Sequence, residues 1–177
     1  MSARAAWRLE TLGFTHVFRY QPGKADWFAA GLPMEGTRAN VPRAGDSARR
    51  GVPACRLTDR VGEVRDRVRA AGWDVCLVVT EEGVILGRLR GKALDATPEA
   101  VAETVMEAGP TTIRPNTPLE SIARRMQERQ VGSIVVSDSD GRLIGILYRE
   151  DTERALSEPR VVGTGGSQRA DQRRNTA

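Results

Sequence analysis

Aromatic residues make up only 5% of this 177-residue chain, and histidine occurs once, at His16. One imidazole cannot assemble a histidine-rich metal centre, and the setting "GFTHVFRY" places it on a strand face. Cysteine occurs twice, at Cys55 and Cys76, inside apolar stretches and outside any Cys-x-x-Cys spacing. This argues against a zinc site and a disulfide scaffold, and predicts two buried thiols in a reducing cytoplasm. No run of about 18 apolar residues occurs, so no membrane span is expected. Nor does the opening "MSARAAWRLE" place a long apolar core behind its arginines, as a secretory signal would. The expected location is therefore cytoplasmic. Net charge is +4, but aromatic and basic residues do not alternate on a strand and no helix-turn-helix spacing is found, so nucleic acid is not the expected partner. The arginine-rich end, "EPRVVGTGGSQRADQRRNTA", has little to bury, and residues 157–177 are expected to be a disordered tail.

What the chain does contain is a repeat. Residues 55–93 align with residues 113–151 without a gap at a constant offset of 58. Val61, Val64 and Val68 meet Leu119, Ile122 and Met126, the spacing of one helix face. "DVCLVV" meets "GSIVVS" and "VILGRL" meets "RLIGIL", two pairs of β-rich runs. Between them "EEG" meets "SDG", turns whose glycine can take positive φ. Each copy reads as helix, strand, turn, strand, helix. The segment 95–109 reads as a joining helix, capped by Asp95 or Thr97 and ended by Gly109-Pro110. A unit this small buries little core alone, so the two copies should pack together. The fold class expected is α+β, an α/β sandwich of two β-α-β-β-α repeats related by a pseudo-two-fold axis. The repeats span 51–97 and 98–156, and 37–50, rich in Arg, Gly and Pro, reads as linker. A pseudosymmetric pair leaves a cleft where corresponding strand ends meet, a common kind of ligand site.

The second copy carries an Ile-x-Pro-x-Thr-Pro-Leu entry to its helix at 113–119 and ends in "GILYRED", 145–151. With the lead-in "TVMEAG" and the acidic turn, this resembles the CBS domain pair, or Bateman module. The resemblance implies a homodimeric regulatory module whose closing aspartate, Asp151, accepts hydrogen bonds from the ribose diol of an adenosine ligand: ATP, ADP, AMP or S-adenosylmethionine. A carboxylate offers two acceptors and no donor, which suits a vicinal diol. The threonine usual in this motif is replaced by Tyr148, which could stack on a base or fill the pocket. By the family layout Thr112, Ile113, Ser133, Ile134, Tyr148 and Asp151 line the site, with Ile113 and Ile134 sandwiching the base. In the first copy the matching residues are Arg90 and Ala93, and Ala93 cannot hold a diol. At most one nucleotide site per chain is therefore expected. Two plainer readings stand beside this one: Asp151 caps the helix that follows, and Ile113 and Ile134 are ordinary core. For dimerisation, the helix faces carrying Val64, Val68, Ile122 and Met126 are candidates unless they only fill each unit's own core.

Residues 1–36 form a different unit. A helix from Ser2 to Gly13, a strand "THVFRY", a short helix "GKADWFAAG" and the ending Gly31-Leu32-Pro33 with Gly36 resemble the last third of a rhodanese domain. The rhodanese nucleophile lies in a cysteine loop before that helix, and neither Cys55 nor Cys76 matches it, so no catalytic residue is assigned. The leading expectation is a non-enzymatic regulatory or sensor module. The alternatives are a sulfurtransferase whose catalytic cysteine is encoded upstream of Met1, a ligand-free dimerisation module, and a weak nucleic-acid binder.

Overall fold

A computed structural model describes residues 3–36 and 40–158. The tail expected to be disordered lies, beyond residue 158, outside the described residues. Two helices open the chain, α1 (Ala3–Thr11) and α2 (Gly23–Ala29), followed by a short α3 (Ala44–Ser47). The first unit holds β1 (Ala54–Cys55), α4 (Val61–Ala70), β2 (Val75–Val79) and β3 (Ile85–Arg90), and then α5 (Ala102–Val105) and β4 (Glu107–Ala108). The second holds β5 (Thr112–Ile113), α6 (Leu119–Glu128), β6 (Ser133–Ser137), β7 (Leu143–Tyr148) and α7 (Arg149–Ser157). Their sheets run β1-β2-β3-β4 and β5-β6-β7, with a parallel first pair and an antiparallel hairpin in each.

The periodicity read from the sequence produces this packing directly. α4 buries Val61, Val64 and Val68, and α6 buries Leu119, Ile122 and Met126. Side chains alternate across a strand, so each inner strand serves two cores. Cys76 and Val78 face α4, with Cys55, while Val75, Leu77 and Val79 join Val135 and Ile146 in an apolar layer between the units. The hairpin turns have Gly83 at φ +84° and Gly141 at φ +83°, as expected for "EEG" and "SDG". These two turns bond to each other across the pseudo-two-fold axis, Ile85 N to Gly141 O and Leu143 N to Gly83 O, both at 3.0 Å. Both cysteines are buried and unpaired by disulfide. The partner Cys55 and burial push the Cys76 thiol well above its ordinary value, so it stays a thiol.

Several expectations need correction. Residues 95–109 do not form one helix. Pro98 O accepts from Gly62 N, Ala102 enters the first unit's core and β4 pairs with β3, and these tertiary contacts outweigh local propensity. Residues 43–49 are not a free linker: Ala44 is buried in the second unit's core, and Arg49 bridges Ile146 on β7. The two lead-ins are thus exchanged, each docking on the other unit. The first copy's closing helix shrinks to a 3-10 turn at 91–93, where Gly91 takes φ +47°. "THVFRY" is not a strand, because no neighbouring strand offers it a ladder. Val64, Val68, Ile122 and Met126 lie almost wholly inside their own units and offer no exposed face. No described helix is long and apolar enough to cross a membrane.

The N-terminal segment is tied to this body by a few contacts. The Arg43 guanidinium lies 4.7 Å from the Phe28 ring centroid, and Arg50 donates to the Ala29 carbonyl at 3.0 Å. Trp27 is pinned by its indole N–H to the Pro33 carbonyl, and Tyr20 meets it edge-on. Trp7, Phe14 and Phe18 remain exposed.

Candidate functional site

Five of the six residues singled out in the second unit lie on strands and split by parity. Ser133 pairs with Tyr148, and Thr112 pairs with Val135, so these three share the face of Val135 and Ile146 that looks toward the first unit. Ile113 and Ile134 point the other way, into the core with Leu119, Ile122 and Met126. They cannot sandwich a base there, so for them the plainer reading holds. A cavity of about 50 Å³ remains between the units, lined by Ser133, Tyr148, Asp74, Arg88 and Arg90. Small-molecule pockets run from about 300 Å³ upward, so this space does not hold a nucleoside. Tyr148 narrows it by donating its hydroxyl to Asp74 at 3.1 Å. Burial and the Asp74 carboxylate push the Tyr148 hydroxyl up to about 12.

Asp151 sits in the first turn of α7, where a carboxylate is favoured by the helix dipole. It is not the N-cap, which is Tyr148. Its side chain is only 12% exposed, and both its oxygens are engaged. Arg49 Nε donates to Oδ2 at 2.6 Å, and Arg49 Nη2 donates to Oδ1 at 3.1 Å. The same guanidinium pairs with Glu150 and lies 4.6 Å from the Tyr148 ring centroid. Arg154 approaches Asp151 more loosely, at 3.4 Å. The carboxylates, Asp151 first, raise the Arg49 pKa above its ordinary value and hold the side chain protonated.

Arg49 reaches this place through its backbone. Its N–H donates to Ile146 O at 2.8 Å, and Ile146 N–H donates back at 3.0 Å. The approach requires Gly145, since a Cβ there would stand 2.5 Å from the Arg49 carbonyl oxygen. Sequence reasoning missed Arg49 because the alignment began at residue 55. Carried upstream at the same offset it sets Ala44 on Ala102, Arg49 on Glu107 and Gly51 on Gly109. The signal existed, but it was weak and its spatial meaning depended on the exchange of lead-ins.

At the corresponding corner of the first unit the charges are inverted. Glu107 occupies Arg49's place, paired with Arg88 at 2.7 Å and Arg90 at 3.3 Å. Arg88, then Arg90, hold the Glu107 carboxyl below the usual range. Ala93 stands where Asp151 stands, packs against the first unit's core and offers no acceptor. An open groove of about 600 Å³ results, lined by Arg90, Lys92, Ala93, Val105 and Glu107.

Residues 101–158 match the CBS domain family model. The cytosolic domain of the Mg2+ channel MgtE in complex with ATP superposes with a TM-score of 0.59 at 28% identity, over 64% of this chain and 48% of that one. The CBS domains of a transcriptional regulator from Streptococcus pneumoniae give 0.59 at 21% identity, over 65% and 99%. CBSX2 in complex with AMP gives 0.58 at 23% identity, over 64% and 95%. The fold is that of a CBS pair. The family model supports it for residues 101–158 and the solved structures for 64–65% of the chain, and neither speaks for the rhodanese-like reading of residues 1–36. Among curated proteins, a homoserine O-acetyltransferase from Methanohalobium evestigatum is 34% identical over 56 residues, which is 32% of this chain and 12% of that protein. The chain therefore spans a small part of that relative and about half of the MgtE domain.

Proposed function

We propose that this chain is a non-enzymatic regulatory module that binds one adenosine ligand, through the corner of the second repeat formed by Thr112, Ser133, Tyr148 and Asp151. The observation that carries the reading is Asp151 itself. It is a nearly buried carboxylate whose two oxygens both accept from Arg49, whose guanidinium lies over the Tyr148 ring. Similar CBS pairs support it, since their structures hold ATP, AMP, or S-adenosyl-L-methionine with 5'-methylthioadenosine. The cleft is closed in this structure, so binding requires Arg49 to leave Asp151 and Tyr148 to swing away from Asp74.

The same closure favours a second reading, in which the pair is a ligand-free assembly module with Arg49 as a permanent filling. Calorimetric and thermal-shift titrations with ATP, ADP, AMP and S-adenosylmethionine separate the two. Ligand at 100 times its Kd stabilises the folded state by about 2.7 kcal/mol. For a chain of this length that raises Tm by roughly 5–10 °C. Saturable binding that disappears in Asp151→Asn supports the sensor. No shift with any of the four ligands leaves the assembly reading.

A further inference from the structure

We infer that Arg49 selects the ligand of this cleft, admitting adenosine that carries a phosphate and excluding the uncharged nucleoside. The inference rests on the reading of the second repeat given above. A ribose diol needs the two Asp151 oxygens, and those are the atoms Arg49 already holds. Diol binding and the ion pair therefore compete for the same acceptors. Once displaced, the guanidinium keeps only Glu150, which is 64% exposed and solvated, and the face of the Tyr148 ring, which offers no hydrogen-bond acceptor. Arg154, Asp74, Arg88 and Arg90, the other charged groups here, do not change the balance. Arg154 is a second cation, Asp74 is engaged by the Tyr148 hydroxyl, and Arg88 and Arg90 are held by Glu107 on the first unit's side of the cleft. A neutral nucleoside would break a charge-assisted, two-pronged contact and return nothing to the arginine. A phosphate ester returns oxygens spaced to take the planar fork.

The arginine side chain is not demanded by the fold. The backbone ladder that brings Arg49 onto β7 is repeated at Glu107 on β3, where the side chain carries the opposite charge. Position 49 is thus free to carry selectivity, and it carries a cation pointed at the diol-binding carboxylate.

The test is calorimetry on the full chain with AMP and adenosine at fixed salt, for wild type, Arg49→Ala, Arg49→Gln and Asp151→Asn, each checked for folding by circular dichroism. One charge-assisted contact corresponds to about 10- to 100-fold in affinity, so wild type should prefer AMP by that factor. In the two Arg49 variants adenosine should bind more tightly than it does to wild type, because Asp151 is uncontested, while AMP gains nothing. The preference should then fall to within about threefold. Two different substitutions keep the test open if one does not fold. An unchanged AMP preference in a folded Arg49 variant, or wild type binding both ligands alike, overturns the role of Arg49 and leaves the second-repeat site standing. Binding that survives Asp151→Asn, or no binding to wild type and variants alike, removes that site and the inference with it.

Discussion

The two units present one corner twice, with different outcomes. In the second, a lead-in segment crosses Gly145 and brings Arg49 onto Asp151 and Tyr148. In the first, the corresponding segment crosses Gly87 and brings Glu107 to Arg88 and Arg90, with Ala93 leaving a groove. The backbone frame is the same in both: a short helix, a bridge to the hairpin and a glycine where the chains touch. The side chains placed on it differ in sign and in bulk. One corner is therefore closed by an ion pair and the other stands open. A duplicated fold preserves hydrogen-bonded geometry while chemistry at equivalent positions drifts, since the former is shared by every residue of the ladder and the latter rests on single side chains.

The largest effects should test the shared frame. Leu89 and Leu147 are equivalent, and both are fully buried. Truncation of either to Ala should cost about 2–5 kcal/mol in urea unfolding. Losses that differ by more than the spread within that range would show that the two cores are not equivalent. Next comes the crossing glycine. In Gly145→Ala the new Cβ meets backbone, the Arg49 carbonyl oxygen at 2.5 Å, whereas in Gly87→Ala the nearest atom is the flexible Met106 Sδ. The first should lose about 1–3 kcal/mol and the second clearly less, and equal losses in the same melts would break the comparison. The smallest effect concerns Tyr148, which has Arg90 as its counterpart. Its folded pKa is raised, to about 12, above the ordinary 10. The neutral hydroxyl therefore contributes stability fully present below pH 10, and that contribution is lost as pH rises toward 12. Urea melts between pH 8 and 11.5 should show a decline that is shallower in Tyr148→Phe. Parallel declines would mean that folding does not raise the Tyr148 hydroxyl.

Much of the fold was legible in the order of residues. The 58-residue offset, the helix faces of Val61–Val64–Val68 and Leu119–Ile122–Met126, the paired strands and the turn glycines all appear as read. Each rests on local periodicity, and local periodicity is what burial on one face imprints on a chain. Less of the site was legible. Asp151 was singled out from its motif, and Tyr148 was flagged as either a platform or a plug. Ile113 and Ile134 were placed on the wrong side of their strands for ligand contact, because strand parity relative to the cleft depends on where the partner unit sits. The joining helix at 95–109, the linker at 37–50 and the strand "THVFRY" were misjudged for one common reason. Their conformations are set by which distant backbone groups are available to pair, and those for 43–49 lie about 70 residues away, at Pro115 and Thr117 before α6, and about a hundred away, at Ile146 on β7.

The sequence by itself therefore determined a pair of α+β units with the fold of a CBS pair, and a carboxylate, Asp151, closing the second copy where the first has Ala93. Only the tertiary structure decided that Asp151 is already held. That depends on exchanged lead-ins carrying Arg49 across 102 residues of chain to a carboxylate it could not be matched with along the sequence. An ion pair between remote segments leaves no periodicity behind, so it becomes visible only when the backbone ladder that aligns the two segments is in place.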